Sequence, residues 1–198
     1  MGLDLDYSEG QTPLDEDEKE GLLIPTITTR SELDEFEQLG VEKANEWLLT
    51  RRFSIDKILS EEFVKDLHKR MFGDIWKWAG EFRKTNKNIG VDKLIIGVEL
   101  KKLLDDCKYW IKQKVFPEDE IAIRLSHRMV LIHPFANVNG RHSRFIADLL
   151  ITKGFGKTYF TWGSVKLTQK GEARSKYLKA LKAADQNDYR SLIEFARL

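Results

Sequence analysis

The sequence has few of the residues that would build a disulfide framework, a metal site or a membrane span. Its single cysteine, Cys107, excludes an internal disulfide and a zinc site made of cysteines. No stretch approaches the length of about eighteen apolar residues that a membrane-spanning helix needs. The acidic N-terminus lacks the basic and apolar segments of a secretory signal. These absences favour a soluble cytoplasmic protein with no membrane partner.

A net charge of +1 conceals an asymmetry between the start of the chain and the rest. Residues 1–20 hold eight acidic side chains and one basic one, which leaves 32 basic against 24 acidic residues in the remainder. The acidic segment is either a solvated tail or a sign that the rest of the chain handles an anionic ligand. The basic residues are scattered, without the interleaved aromatics of a nucleic-acid surface, so no nucleic-acid partner is expected.

Apolar residues recur mostly at helical spacing, which predicts an all-α fold. Residues 1–27 are predicted to form an extended acidic lead, 28–55 an N-terminal helix, and 56–198 the main domain. Residues 74–92, rich in Gly, Asn and Lys, predict a loop with a short β-hairpin. The predicted helices cover residues 31–49, a segment from 60, 96–114, a segment from 117 to 133, 141–153, 168–184 and 188–196.

The sequence partly matches three nucleotide-binding or metal-binding motifs, but each match lacks a required residue. The GFGKTY segment at 154–159 follows Ile151 where a phosphate-binding P-loop needs glycine, and it has Tyr159 where a dinucleotide fingerprint needs one. The four histidines give no His-x-x-x-His pair, so a zinc protease site is not supported.

The stretch HPFANVNGRHSR at 133–144 concentrates a base, a glycine turn and two arginines. Pro134 disfavours helix at the residue before it, so the preceding helix should end at His133. The imidazole would then face a loop and could take a proton from an incoming hydroxyl.

The second half of the same stretch predicts an anion site. Val138, Asn139 and Gly140 are predicted to form a turn whose backbone N–H groups can bind an anion at the start of a helix. Arg141 and Arg144 lie three residues apart, on one face of that helix. Each feature alone is ordinary, but together they predict a phosphate-chain clamp beside a base, which suggests nucleotidyl or phosphoryl transfer.

The stretch also resembles the signature of the Fic family, His-x-Phe-x-Asp/Glu-Gly-Asn-Gly-Arg-x-x-Arg. Residues 67–92 resemble the family's upstream Leu-His…Trp-Ala-Gly-x-x-Arg segment, and residues 187–196 resemble its closing helix. The opening TPLDEDEKEGLLIPTITTRSEL resembles the Fic subgroup called mobile mystery protein B. The resemblance covers roughly residues 60–198, and six fixed positions of the signature are matched: His133, Phe135, Asn139, Gly140, Arg141 and Arg144.

The resemblance implies a helical bundle with a small β-hairpin flap that transfers AMP from ATP to a Ser, Thr or Tyr hydroxyl of a protein. It implies that His133 is the general base and that Phe135 packs the loop into the core. Arg141 would hold the inner phosphates and Arg144 the γ-phosphate. The remaining nucleotide-binding positions implied are Asn137, Val138, Asn139 and Gly140.

The resemblance also implies the partners of the reaction. ATP is expected as co-substrate with Mg²⁺ or Mn²⁺, and the target protein is not named by the sequence. Self-modification and a homodimer stay open. Tyr177 is expected to pack in the core, with a wall of the adenine pocket as the alternative. The flap would register the target chain by strand addition through Lys87, Asn88, Ile89, Gly90 and Val91.

Two positions depart from the family pattern. Asn137 stands where the family has the Asp or Glu that coordinates Mg²⁺, so an amide oxygen would bind the metal more weakly. Val138 stands where the family has glycine, so a positive φ there would be strained. The alternatives are therefore an enzyme that uses another phosphate-linked donor or removes AMP, and a nucleotide-binding regulator without catalysis.

The N-terminal helix is a candidate inhibitor. Many Fic proteins are held inactive by a helix with the pattern Ser/Thr-x-x-x-Glu-Gly/Asn, and Ser31 to Glu35 fits its first five positions. Phe36 replaces the final Gly or Asn. We expect Glu35, or Glu37, to pair with Arg144 in the resting protein, against the alternative that both glutamates lie on a solvated face.

Overall fold

The computed structural model describes residues 12–164 and 171–198. The all-α prediction is confirmed. Within the described ranges no helix is both long and apolar enough to cross a membrane. The helices there are α1 (Glu16–Lys19), α2 (Arg30–Leu49), α3 (Ile55–Ile58), α4 (Glu61–Phe72), α5 (Ile96–Gln113), α6 (Glu118–Ile132), α7 (Asn139–Leu149) with a π-helical continuation over Leu150–Gly154, α8 (Glu172–Asp185) and α9 (Arg190–Arg197).

Local capping signals place the helix starts close to where the sequence predicts them. Thr29 precedes α2 and accepts from the Glu32 N–H, while the Glu32 carboxylate accepts from the Thr29 N–H in return. Ser60 caps α4 by accepting from the Phe63 N–H at 3.2 Å. Pro117 precedes α6, whose first turn is acidic and therefore complements the positive helix end.

The helices pack as a bundle around α6, which contacts both α5 and α7, while α2 packs on α4. Trp76, Phe72 and Phe135 are the largest fully buried side chains. Burial of one such side chain stabilises the fold by about 1.5–3 kcal/mol. Gly40 lies in the middle of α2, where the helix approaches α4 closely. A Cβ at this position would overlap the carbonyl oxygen of Met71, so the packing of the two helices requires glycine.

The predicted β-hairpin is not formed. Residues 84–92, named here the flap loop, contain no strand. Across the described ranges the backbone shows an isolated antiparallel bridge between Leu22 and Trp76 and no extended ladder. Side-chain and backbone hydrogen bonds hold the flap loop instead.

The described part of the acidic lead packs against the domain and is not a solvated tail. Its chain turns through the short helix α1 and is then tied to residues 75–77. The Leu23 N–H donates to the Ile75 carbonyl, and the Lys77 N–H donates to the Gly21 carbonyl, each at 2.8 Å. Residues 1–11 and the predicted helix start over 168–170 lie outside the described residues.

Candidate active site

His133 lies at the end of α6, as the His-Pro sequence predicts. Its φ of 54° and ψ of 61° place it in the left-handed region and end the helix there. The Nδ1 atom is 3.3 Å from the Val130 carbonyl oxygen, so Nδ1 carries the proton of the neutral ring. The Nε2 lone pair then accepts from the Thr12 hydroxyl, whose Oγ1 lies 3.0 Å away. The imidazole is thus oriented as a base toward a hydroxyl.

The surroundings of His133 keep it neutral near pH 7. Burial, together with the positive charges of Arg83 and Lys87, lowers the pKa of His133 to about 4, although the bond to the Val130 carbonyl acts in the opposite direction. Only 5% of the residue is exposed. Its Nε2 atom therefore stays unprotonated across the physiological pH range and can act as an acceptor.

Arg83 ties the flap loop to His133. Its Nε donates to the His133 carbonyl at 2.7 Å, its Nη1 to the Thr85 carbonyl at 2.7 Å, and its Nη2 to the Val91 carbonyl. The Arg83 guanidinium therefore replaces the strand pairing that a hairpin would supply. Arg83 is the arginine of the Trp-Ala-Gly-x-x-Arg segment. The sequence therefore marks this residue, but it does not predict what the residue does.

The five predicted flap residues are placed differently from one another. Ile89 lines the cavity beside His133, and Asn88 is exposed. Gly90 has a φ of 104°, and a Cβ there would lie 2.7 Å from the His133 Cβ, so only glycine fits. The Val91 N–H donates to the Ile132 carbonyl at 3.3 Å. Lys87 points away from solvent, with a side chain that is 3% exposed.

The loop after His133 is held by the core and by its own asparagine. Phe135 is fully buried and stacks on His68 with ring centroids 3.7 Å apart, so it packs the loop into the core as expected. The Asn139 amide bonds both the N–H and the carbonyl of Phe135, at 3.0 and 2.8 Å. His142 faces the other way, to the Val64 carbonyl at 3.0 Å. The Asn139 side chain therefore shapes the loop, and only its backbone is free to bind an anion.

Val138 stands at the turn into α7 with a φ of 56°, in the left-handed region. Val138 therefore has the positive φ at which a β-branched residue is strained. The helix begins at Asn139, and the His142 N–H is the first to bond back, to the Val138 carbonyl. The N–H groups of residues 139–141 are thus left for an anion at the positive helix end.

The first motif arginine is held by α2. Arg141 pairs with Asp34 at 2.8 Å and with Glu37, which is fully buried and also accepts from Trp76 Nε1 at 3.1 Å. The expectation for Glu35 was wrong, because that side chain is exposed. Residues 34 and 37 share a helix face, whereas residue 35 is turned about 100° away from 34.

The arginine that pairs with Glu37 is also not the expected one. Arg144 makes no ion pair with any carboxylate in residues 12–164 or 171–198 and lies over the Tyr177 ring, 5.5 Å from its centroid. A further arginine, missed in the sequence, joins the site: Arg30 pairs with Asp34 at 3.1 Å. Its Nε and Nη1 atoms are buried without a hydrogen-bond partner. The sequence could have indicated this pair, because Arg30 lies one helical turn before Asp34.

These groups surround one cavity. Tyr177 contributes to its wall and also packs on Phe195, with ring centroids 5.5 Å apart. The core packing expected for Tyr177 is therefore present, and its role in an adenine pocket stays a prediction. The lining residues are Thr12, Arg30, Ile89, Val130, His133, Asn137, Val138, Asn139, Gly140, Arg141, Arg144, Arg174, Tyr177, Leu178 and Leu181.

Asn137 does not offer a free metal ligand. Its Oδ1 accepts from the Val138 N–H at 2.7 Å, and its Nδ2 is buried without a partner. Among the described residues no group of three or more His, Cys, Asp or Glu side chains could hold a metal ion. The donor set therefore does not fit a Mg²⁺ ion held by the protein alone.

Residues 58–151 match the model of the Fic/DOC family. The match supports a Fic domain in this part of the chain.

The curated relatives include two proteins named protein adenylyltransferase Fic. One, from Aedes aegypti, is 23% identical over 163 residues, which is 80% of this chain and 31% of that protein. The other, from Drosophila grimshawi, is 26% identical over 137 residues, which is 67% of this chain and 26% of that protein. The chain thus spans about a third or less of the length of these two relatives.

Solved structures share the fold. Fic-1 (residues 134–508) from C. elegans aligns with a TM-score of 0.64 at 21% identity, covering 90% of this chain and 51% of that one. The BepC protein from Bartonella tribocorum, solved with bound AMPPNP, aligns with a TM-score of 0.63 at 16% identity, covering 86% and 87%.

Proposed function

We propose that this chain is a protein adenylyltransferase that transfers AMP from ATP to a Ser, Thr or Tyr hydroxyl of a protein. The observation that carries the proposal is the neutral His133, whose Nε2 accepts from a threonine hydroxyl at 3.0 Å beside an arginine-lined cavity. The names of the curated relatives, and the AMPPNP bound in BepC, support the same chemistry.

These groups would support direct transfer of AMP to the acceptor hydroxyl. His133 Nε2 takes the proton of the acceptor hydroxyl, whose oxygen attacks the α-phosphorus of ATP. The bond from that phosphorus to its bridging oxygen breaks, and pyrophosphate leaves. Arg141, Arg144 and Arg30, with the first N–H groups of α7, supply positive charge for the phosphates.

A divalent cation would enter this site with the nucleotide. Mg²⁺ or Mn²⁺ bound to the triphosphate would neutralise part of its charge, and its ligands would be mainly phosphate oxygens and water. Asn137 would contribute little to holding the metal, because its Oδ1 already accepts from the Val138 N–H.

We further propose that the conformation described is an inhibited one. Asp34 and Glu37 occupy the Arg141 guanidinium that a phosphate would need. A carboxylate pair held against a buried arginine competes directly with a phosphate, since both bind the same donors. Activation would require α2 to release Arg141.

A second candidate function is nucleotide binding without turnover. The strained Val138 and the engaged amide of Asn137 favour it. If Asn137→Asp with Val138→Gly gains transfer activity from none, this candidate replaces the first. Profiling of other nucleotide and phosphate-linked donors separates a different transfer reaction from both.

The test uses α-labelled ATP with Mg²⁺ or Mn²⁺ and a host lysate. We expect label on protein from the full chain, a rise in Glu37→Gln, and no label in His133→Ala. Glu35→Gln is the matched control, because it removes a carboxylate from the exposed face of the same helix. Bound ATP without label in any variant would contradict the proposal.

A further inference from the structure

The acidic lead is anchored on the flap loop by its carboxylates. Asp15 accepts from Thr85 Oγ1 at 2.6 Å and from Lys87 Nζ at 2.8 Å. Glu18 pairs with the same lysine, which is almost fully buried. Trp78 Nε1 also donates to the Glu18 carbonyl at 3.0 Å. The lead is thus fixed beside the candidate site by several independent contacts.

This anchorage brings a hydroxyl of the lead to the base. Thr12 precedes Asp15 by three residues, is 5% exposed, and places its Oγ1 3.0 Å from His133 Nε2. It lines the same cavity as Arg30, Arg141 and Arg144. The Thr12 hydroxyl therefore stands where an acceptor hydroxyl must stand for His133 to deprotonate it.

We propose that Thr12 is an acceptor for AMP within its own chain, delivered to His133 by the docking of the acidic lead on the flap loop. This inference rests on the proposed adenylyltransferase function.

The step balances with ATP as the co-reactant. The Thr12 Oγ–H proton passes to His133 Nε2, and Oγ forms a bond to the α-phosphorus of ATP. The bond from that phosphorus to the bridging oxygen breaks, and pyrophosphate carries away the electron pair. The product is a phosphodiester between Thr12 and AMP.

Two features of the structure govern when the step occurs. The lead is part of the same chain, so its hydroxyl is at a high effective concentration that does not depend on dilution. The phosphate donors are blocked, however, while Glu37 and Asp34 hold Arg141. Modification of Thr12 therefore follows release of Arg141, and AMP on Thr12 would then keep this hydroxyl from reacting again.

The test is to map the label on purified Glu37→Gln protein incubated with α-labelled ATP and Mg²⁺. We expect up to one AMP per chain, on the peptide that contains Thr12, at a rate that does not change on dilution of the protein. Thr12→Val should lose this label, and Thr12→Ser should keep it because the hydroxyl is restored. Thr26→Val is the matched control, since Thr26 is an exposed threonine of the same lead.

A parallel incubation with host lysate separates the inference from the function on which it rests. Label that requires His133 on lysate proteins, with Thr12 unmodified, would overturn the inference and leave the adenylyltransferase standing. Label on another residue of the chain, or a rate that rises with protein concentration, would also overturn it. The absence of any His133-dependent label would sink both.

Discussion

Glutamine at position 37 should tighten ATP binding about 10- to 30-fold. Glu37 must leave Arg141 before a phosphate can bind there; Glu37 is fully buried, and the Arg141 side chain is 11% exposed. A hydrogen bond to a charged group is worth about 1.5–3 kcal/mol, and about 1.4 kcal/mol changes an affinity tenfold. The full range is therefore about 10- to 150-fold. We expect the lower part, because Asp34 keeps its own bond to Arg141 at 2.8 Å.

Titration calorimetry with a non-hydrolysable ATP analogue measures this effect. Glutamine keeps the size of Glu37 and can still accept from Trp76 Nε1, so the fold should persist, and urea unfolding checks that it does. Glu35→Gln removes the same charge from the exposed face and should change the Kd less than about twofold, because exposed charges are screened by salt. Equal affinities of the Glu37 and Glu35 variants would refute the inhibitory role of Glu37.

Four further predictions concern the motif and its support. Val138→Gly should change the free energy of unfolding by less than about 1 kcal/mol, because release of about 1–3 kcal/mol of strain offsets the lost burial of the side chain. Val138→Ala loses burial while it keeps a Cβ at positive φ, so urea unfolding should find it less stable than Val138→Gly, and the opposite order would contradict the strain. Arg83→Lys keeps the charge but loses the fork that orients the His133 carbonyl and the flap loop, so kcat/KM for transfer should fall at least about tenfold with little change in ATP affinity; a parallel loss of ATP affinity would assign Arg83 to binding instead. The pKa of His133, lowered to about 4 by burial, keeps the base neutral as pH falls, so transfer should decline toward pH 4 and not near 6.5. The same shift contributes stability that is fully present above about pH 6.5 and is lost as pH falls toward 4, which makes His133→Ala less sensitive to acid in thermal unfolding.

The helices were predictable because their signals are local. Thr29, Ser60 and Pro117 mark three helix starts, and the His-Pro sequence marks the end of α6 at His133. Apolar spacing then requires a bundle, because each helix has one face to bury.

The flap and the lead were not predictable, because their contacts are made across the fold. A Gly- and Asn-rich segment is compatible with a hairpin, but the bonds of Arg83 to the carbonyls of His133, Thr85 and Val91 hold it as a loop. The docking of Asp15 on Lys87 joins residues 72 positions apart. From charge composition alone, such acidic side chains are expected to be solvated.

The glutamate that pairs with Arg141 differs from the one that the family pattern indicates. The family pattern favours Glu35 by its spacing from Ser31. In the structure, however, the buried face of α2 carries Leu33 and Glu37, and Glu35 is exposed. Arg30, Asp34 and Glu37 recur at three- and four-residue spacing, so a reading by helix face would have grouped them.

The most direct test of the account is the transfer of label from α-labelled ATP by purified Glu37→Gln protein, compared with the same protein that also carries His133→Ala. The account predicts covalent AMP on protein in the first and none in the second, with both binding ATP. Equal labelling of the two would remove His133 as the base. No labelling of either, with ATP bound by both, would contradict adenylyl transfer and leave a nucleotide-binding protein.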